Sequence, residues 1–123
     1  MSDMIGSIKA TNRQKLAGRV VRGEIARQRR TVDQTATDAR MAPSTLYRIL
    51  NGVADKDSLK YRAIEGVLSF PDDLLRYVIE GNAARIEAIR PENIRSSLRD
   101  SILYELSAIE AERVDDEQNQ QHA

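Results

Sequence analysis

The chain contains no cysteine, which rules out disulfide staples and thiolate metal sites. Its only histidine is His122, so no packed interior holds a histidine base or zinc ligand. No run of about 18 apolar residues occurs, so no transmembrane helix is expected. The N-terminus lacks the apolar core of a signal peptide, and a cytoplasmic location follows as the expectation. Three prolines and six glycines interrupt 123 residues, and no stretch alternates apolar and polar residues long enough to read as a strand. The phosphate loop GxxxxGK[ST], the dinucleotide fingerprint GxGxxG, the zinc pair HExxH and the nucleophile elbow GxSxG are all missing. No enzyme, cofactor or small-molecule ligand is therefore expected. Adjacent acids such as Asp72-Asp73 diverge at i and i+1 on a helix. They read as first-turn acids that favour the helix dipole rather than as a metal site.

Nineteen basic and nineteen acidic residues cancel in the net charge. They are unevenly placed. Residues 1–62 hold 13 Lys or Arg against 6 Asp or Glu, and residues 63–123 hold the reverse surplus of 13 acids over 6 bases. Between Lys9 and Arg30 stand eight cations and one acid, Glu24. One half is suited to a polyanion, and the other to a different role.

Helical periodicity runs through most of the chain. Residues 1–10 lack it and read as a flexible arm. Thr11 with Gln14 is a capping-box pattern, followed by Leu16, Ala17, Val20, Val21 and Ile25 on one face. Thr31 opens a short second helix over 32–39, with Thr35 and Ala36 facing inward. Pro43 suits the first turn of a third helix over 43–50, which buries Leu46, Ile49 and Leu50 and stops at Asn51-Gly52. A fourth helix follows Ser58, and Pro71 is expected to open a fifth that ends at Gly81-Asn82. Pro91 opens the last helix, whose residues Ile94, Leu98, Ile102, Leu106 and Ile109 share one arc. The tail 115–123 is polar and is expected to be disordered.

Residues 31–52, TVDQTATDARMAPSTLYRILNG, read as a short helix, a tight turn and a second short helix. The outward positions of the second helix are Pro43, Ser44, Thr45, Tyr47 and Arg48. A single helix fits the DNA major groove, where hydroxyls and a guanidinium can reach base edges.

On these residues the chain resembles the phage-repressor-type (XRE) helix-turn-helix family over roughly residues 14–81. Ala36 falls on the small residue of the first motif helix, and Ser44-Thr45 falls in an S-x-T-[IL]-like opening. Leu46 and Ile49 fall on core positions, and Asn51-Gly52 on the polar-Gly stop. AIEGVLSFPDDLLRYVIEG looks like the fourth and fifth helices, in a version reminiscent of actinobacterial and actinophage members. The resemblance implies an all-α fold: a five-helix DNA-binding domain at 11–81, C-terminal helices at 82–114, and the tail. It implies base reading by Pro43, Ser44, Thr45 and Arg48. It also implies phosphate contacts from Thr31, Asn51 and Lys56, joined on grounds of charge and placement by Arg29, Arg30, Arg40 and Tyr47. Five positions depart from the family pattern: Arg40 stands for a turn Gly, Thr35 for a buried Leu, Val32 for a phosphate-touching Gln, and Ile25 with Leu50 for an Arg–Glu pair. An apolar pair can replace a buried ion pair without loss of stability.

Several readings stay open. Ser44 and Thr45 either read bases or cap their helix, and Tyr47 either packs or lies on the phosphate backbone. The last helix either dimerises through Ile94, Leu98, Ile102, Leu106 and Ile109 or packs as a sixth core helix. Arg95 and Glu105 either pair across subunits or interrupt the seam. The function expected is a sequence-specific regulator, a phage or mobile-element repressor that occupies an operator on double-stranded DNA as a homodimer. An antitoxin or adaptor-type interaction module with an autoregulatory helix-turn-helix is the alternative.

Overall fold

The computed structural model describes residues 11–53 and 58–122, with side chains placed for 11–53 and 59–112. The chain is all-α, and no strand occurs among the described residues. Helix α1 spans Asn12–Arg27, α2 Val32–Asp38, α3 Pro43–Leu50, α4 Ser58–Leu68, α5 Leu74–Glu80 and α6 Ala83–Glu87. A 3-10 turn at Pro91–Asn93 leads into α7, Ser96–His122. No described helix is long and apolar enough to cross a membrane.

Local chemistry sets most of these boundaries. The Gln14 N–H donates to Thr11 Oγ1 at 3.1 Å while the Thr11 N–H donates to Gln14 Oε1 at 2.8 Å. Thr31 and Gln34 repeat the reciprocal pair at 3.0 and 3.1 Å, so each box satisfies two donors that have no intrahelical partner. Pro43 is the first residue of α3, and Gly52, at φ 87°, follows its C-cap residue Asn51.

α1 is the central element, in contact with α3, α4, α5 and α7. Its Leu16, Ala17, Val20, Val21 and Ile25 share one core with Ala36 of α2, Leu46, Ile49 and Leu50 of α3, Ile64 and Leu68 of α4, and Leu74, Leu75 and Val78 of α5. Ile25 and Leu50 are both buried there, which suits an apolar pair at these positions. Thr35 is fully buried too. Its hydroxyl donates to the Thr31 carbonyl at 2.9 Å, so a polar residue sits in the core without an orphaned group.

The structure corrects three expectations. Ile94, Ile102 and Leu106 are buried within the chain's own core, and Leu98 and Ile109 pack against it. These residues pack on the chain's own core beside α1 and α6, and the last helix opens at Ser96 rather than at Pro91, so Ile94 precedes it. The apolar stripe needed covering, and the nearest apolar surface lay on the same chain. Secondly, α7 continues as helix through 115–122, because a run of Asp, Glu, Asn and Gln without proline or glycine offers no break. Thirdly, Pro71 does not open α5. That helix starts at Leu74, after Asp73 at φ 69° with no side-chain cap of its own. Glu65 of α4 supplies the cap: its carboxylate accepts from the Asp73 N–H at 3.0 Å and the Leu75 N–H at 2.9 Å. Burial pushes the Glu65 carboxyl above its ordinary value, against the lowering effect of those two bonds.

α1 and α3 approach closely at Gly18. A methyl there would collide with the Leu50 carbonyl oxygen and stand 2.9 Å from that of Ile49. Backbone cannot give way as a side-chain tip can. At Gly23, on the same helix, a methyl would meet nothing within 4 Å. Gly18→Ala is expected to destabilise by about 2 kcal/mol or more through overpacking, and Gly23→Ala to stabilise by up to about 1 kcal/mol through helix propensity. Urea unfolding of the two variants checks the pair. Equal shifts would contradict the packing.

Candidate nucleic-acid interface

α2, the turn at 39–42 and α3 give the short helix, tight turn and second short helix expected from residues 31–52. The turn is tight because the Met41 N–H donates to the Ala36 carbonyl and the Arg40 N–H to that of Thr37, both at 3.0 Å. This 6→1 and 5→2 pattern requires a left-handed residue after the helix. Arg40 fills it at φ 57°.

α3 has a divided surface. Leu46, Ile49 and Leu50 are buried, while Pro43, Ser44, Tyr47 and Arg48 are exposed and Thr45 is half-buried. Ser44 and Arg48 are one turn apart on the outward side. The N-cap residue of α3 is Ala42, which offers no side-chain cap, and the Ser44 and Thr45 hydroxyls bond to no described residue. Capping, the alternative open for these two hydroxyls, is not what they do. Tyr47 is 45% exposed, so its ring is not packed away. With side chains a helix is about 10–12 Å across, which a major groove about 12 Å wide admits.

The cations sort into tied and free. Arg30, expected to touch phosphate, is engaged within the fold. It donates to Gln28 Oε1 at 3.0 Å, Asp38 Oδ2 at 3.0 Å and the Val67 carbonyl at 3.3 Å. A half-buried guanidinium bonded on three sides is a corner brace between α1, α2 and α4. Arg27 is held by Glu24. Arg29, Arg40 and Arg48 are exposed, and their guanidinium groups make no hydrogen bond or ion pair with another described residue. Thr31 is exposed, but its hydroxyl is already accepting in the capping box. Asn51, the C-cap residue of α3, is exposed. Val32 is half-buried and packed on the core. Lys56 and the arm at 1–10 lie outside the described residues.

Glu24 was missed. It is 4% exposed, and its carboxylate accepts from Arg27 Nη2 at 2.6 Å, Gln28 Nε2 at 2.9 Å and Arg95 Nη1 at 3.0 Å. Gln28 also donates to the Leu68 carbonyl at 2.9 Å, so the cluster ties α1 to the end of α4 and to the residue before α7. Arg95 pairs within its own chain, as does Glu105, which meets Arg19 at 3.1 Å. No group of three or more metal-ligating side chains gathers among the described residues. Comparison with protein-family models, with curated proteins and with solved structures finds no match.

The Glu24 cluster has a pH signature. Burial raises the carboxyl's pKa, but hydrogen bonds from Arg27, Gln28 and Arg95 outweigh it and hold the group at about 2 against an ordinary 4.5. The native state is therefore favoured above pH 4.5, and the gain is lost as pH falls from there towards 2. A shift of this size corresponds to about 3 kcal/mol. Glu65, shifted upwards, works in the opposite sense: its ionised form costs stability, and protonation relieves the cost. Glu24→Gln is expected to destabilise at pH 7 and to flatten the acid limb of the stability profile below pH 4.5. Unfolding midpoints from pH 7 to 2.5 check this, and a variant that keeps the wild-type acid slope would contradict it.

Proposed function

We propose that the chain is a sequence-specific double-stranded-DNA-binding transcription regulator with a repressor-like helix-turn-helix domain, acting by occupying an operator. The observation that carries the reading is the divided surface of α3. Its inner face is buried against α1 and α2, and its outer face presents Ser44, Thr45, Tyr47 and Arg48, whose polar groups bond to no described residue. A helix so held is a rigid reader, since its rotation is fixed by Leu46 and Ile49 and its approach to α1 by Gly18. Unsatisfied hydroxyls and a free guanidinium on an exposed helix gain partners from base edges and phosphates. The basic surplus of residues 1–62 supplies the sequence-independent attraction.

Within this reading, Arg48 is the strongest discriminator. A guanidinium bidentate to the O6 and N7 of guanine is worth about 1–3 kcal/mol against the wrong base. Selection from a random duplex pool is expected to enrich one short site. Arg48→Ala is expected to relax preference at one base-pair position per half-site and to leave discrimination elsewhere intact. Affinities for single-base variants of the selected site decide it. Equal weakening on every variant would make Arg48 a phosphate contact, and failure of the pool to enrich would overturn the reading itself.

A further inference from the structure

Among the described residues, five helix ends close on a left-handed residue. Gly52 after α3 and Gly81 after α5 carry it without strain; Ser69 after α4, Arg29 after α1 and Arg40 after α2 do not. The two arginines sit in the same hydrogen-bond frame. The Arg30 N–H donates to the Ile25 carbonyl and the Arg29 N–H to that of Ala26, as Met41 and Arg40 do one helix later. An L-residue with a long side chain is disfavoured in this conformation, where glycine is at ease. Nothing in the fold compensates through the side chains. Both are exposed and bond to no described residue, whereas Arg30, beside Arg29, makes three bonds.

Their placement is specific. Each stands two residues before the N-cap of the next helix, Arg29 before Thr31 and Arg40 before Ala42, so the pair brackets α2 at both ends. We infer that Arg29 and Arg40 are backbone anchors for the phosphates flanking the α3 reading site, kept at left-handed positions at the expense of stability. This rests on the DNA-binding reading. A guanidinium on a turn rather than on the outward face of α3 reaches phosphate oxygens and not base edges, so both contacts are independent of sequence. A cation at a helix C-terminus also gains from the helix dipole. If the dipole were the reason for arginine here, glycine would bring no gain in stability.

The test uses the full chain and a fluorescein-labelled 30-base-pair duplex of random sequence, with anisotropy titrations from 50 to 300 mM NaCl and thermal unfolding of each variant. Arg29→Gly and Arg40→Gly are each expected to raise Tm by about 3 °C. Each should reduce the slope of log affinity against log salt by about 0.9, which is about an eight-fold loss of affinity at 0.1 M relative to a 1 M reference. Arg40→Lys, which keeps charge and conformation, should leave slope and Tm close to wild type. A fall in Tm on Arg→Gly substitution, or an unchanged slope in variants of a wild type that binds, overturns the anchor assignment and leaves the regulator reading standing. A wild type that binds no duplex at all overturns both.

Discussion

The carboxylate of Glu24 is the point on which the arrangement of this chain turns. It is the only acid among the cations of the first helix, it lies almost fully inside, and three side chains from two parts of the sequence converge on it. A buried charge of this kind is tolerated only while its partners stay in place, and removing one partner costs far more than the pair contributes. That asymmetry makes the cluster a device for specifying geometry. It fixes the end of α1 against the end of α4 through Gln28 and the entry to α7 through Arg95, and so sets the surface on which α3 rests.

The position of α3 follows from that scaffold. Close backbone contact at Gly18 sets its distance from α1, and Leu46, Ile49 and Leu50 set its rotation. What remains outward is short, polar and cationic. The basic residues of the first half thus fall into two groups. Arg27 and Arg30 hold the fold together, while Arg29, Arg40 and Arg48 face solvent. Composition alone treats all five as one positive surface, and only their hydrogen bonds separate them.

The parts legible in the sequence were those decided locally. Thr11 with Gln14 announces its helix because both halves of the capping box lie within one turn, and Thr31 announces the next as its N-cap, with Gln34 completing the same box in the structure. Pro43 and Gly52 bracket α3 to the residue for the same reason. The inward faces of α2 and α3 were legible from periodicity, and Thr35 kept the pattern because its hydroxyl finds the Thr31 carbonyl one turn back. The parts that were not legible depend on distant partners. Glu24 meets Arg95 across 71 positions, and no spacing rule links them. Glu65 caps a helix other than its own, so a linear reading assigns the start of that helix to Pro71 instead. The stripe on α7 was visible, but a stripe does not name the surface that covers it. Here it was the chain's own core.

The claim that the outward face of α3 is a DNA-reading surface is tested most directly by amide chemical-shift mapping on the 15N-labelled chain titrated with a duplex carrying its selected site. The shifts are expected to concentrate at residues 43–51 and at the two turns holding Arg29 and Arg40, with Leu98 to Ile109 of α7 little changed. Shifts centred on α7, or spread evenly over the acidic half, would contradict it.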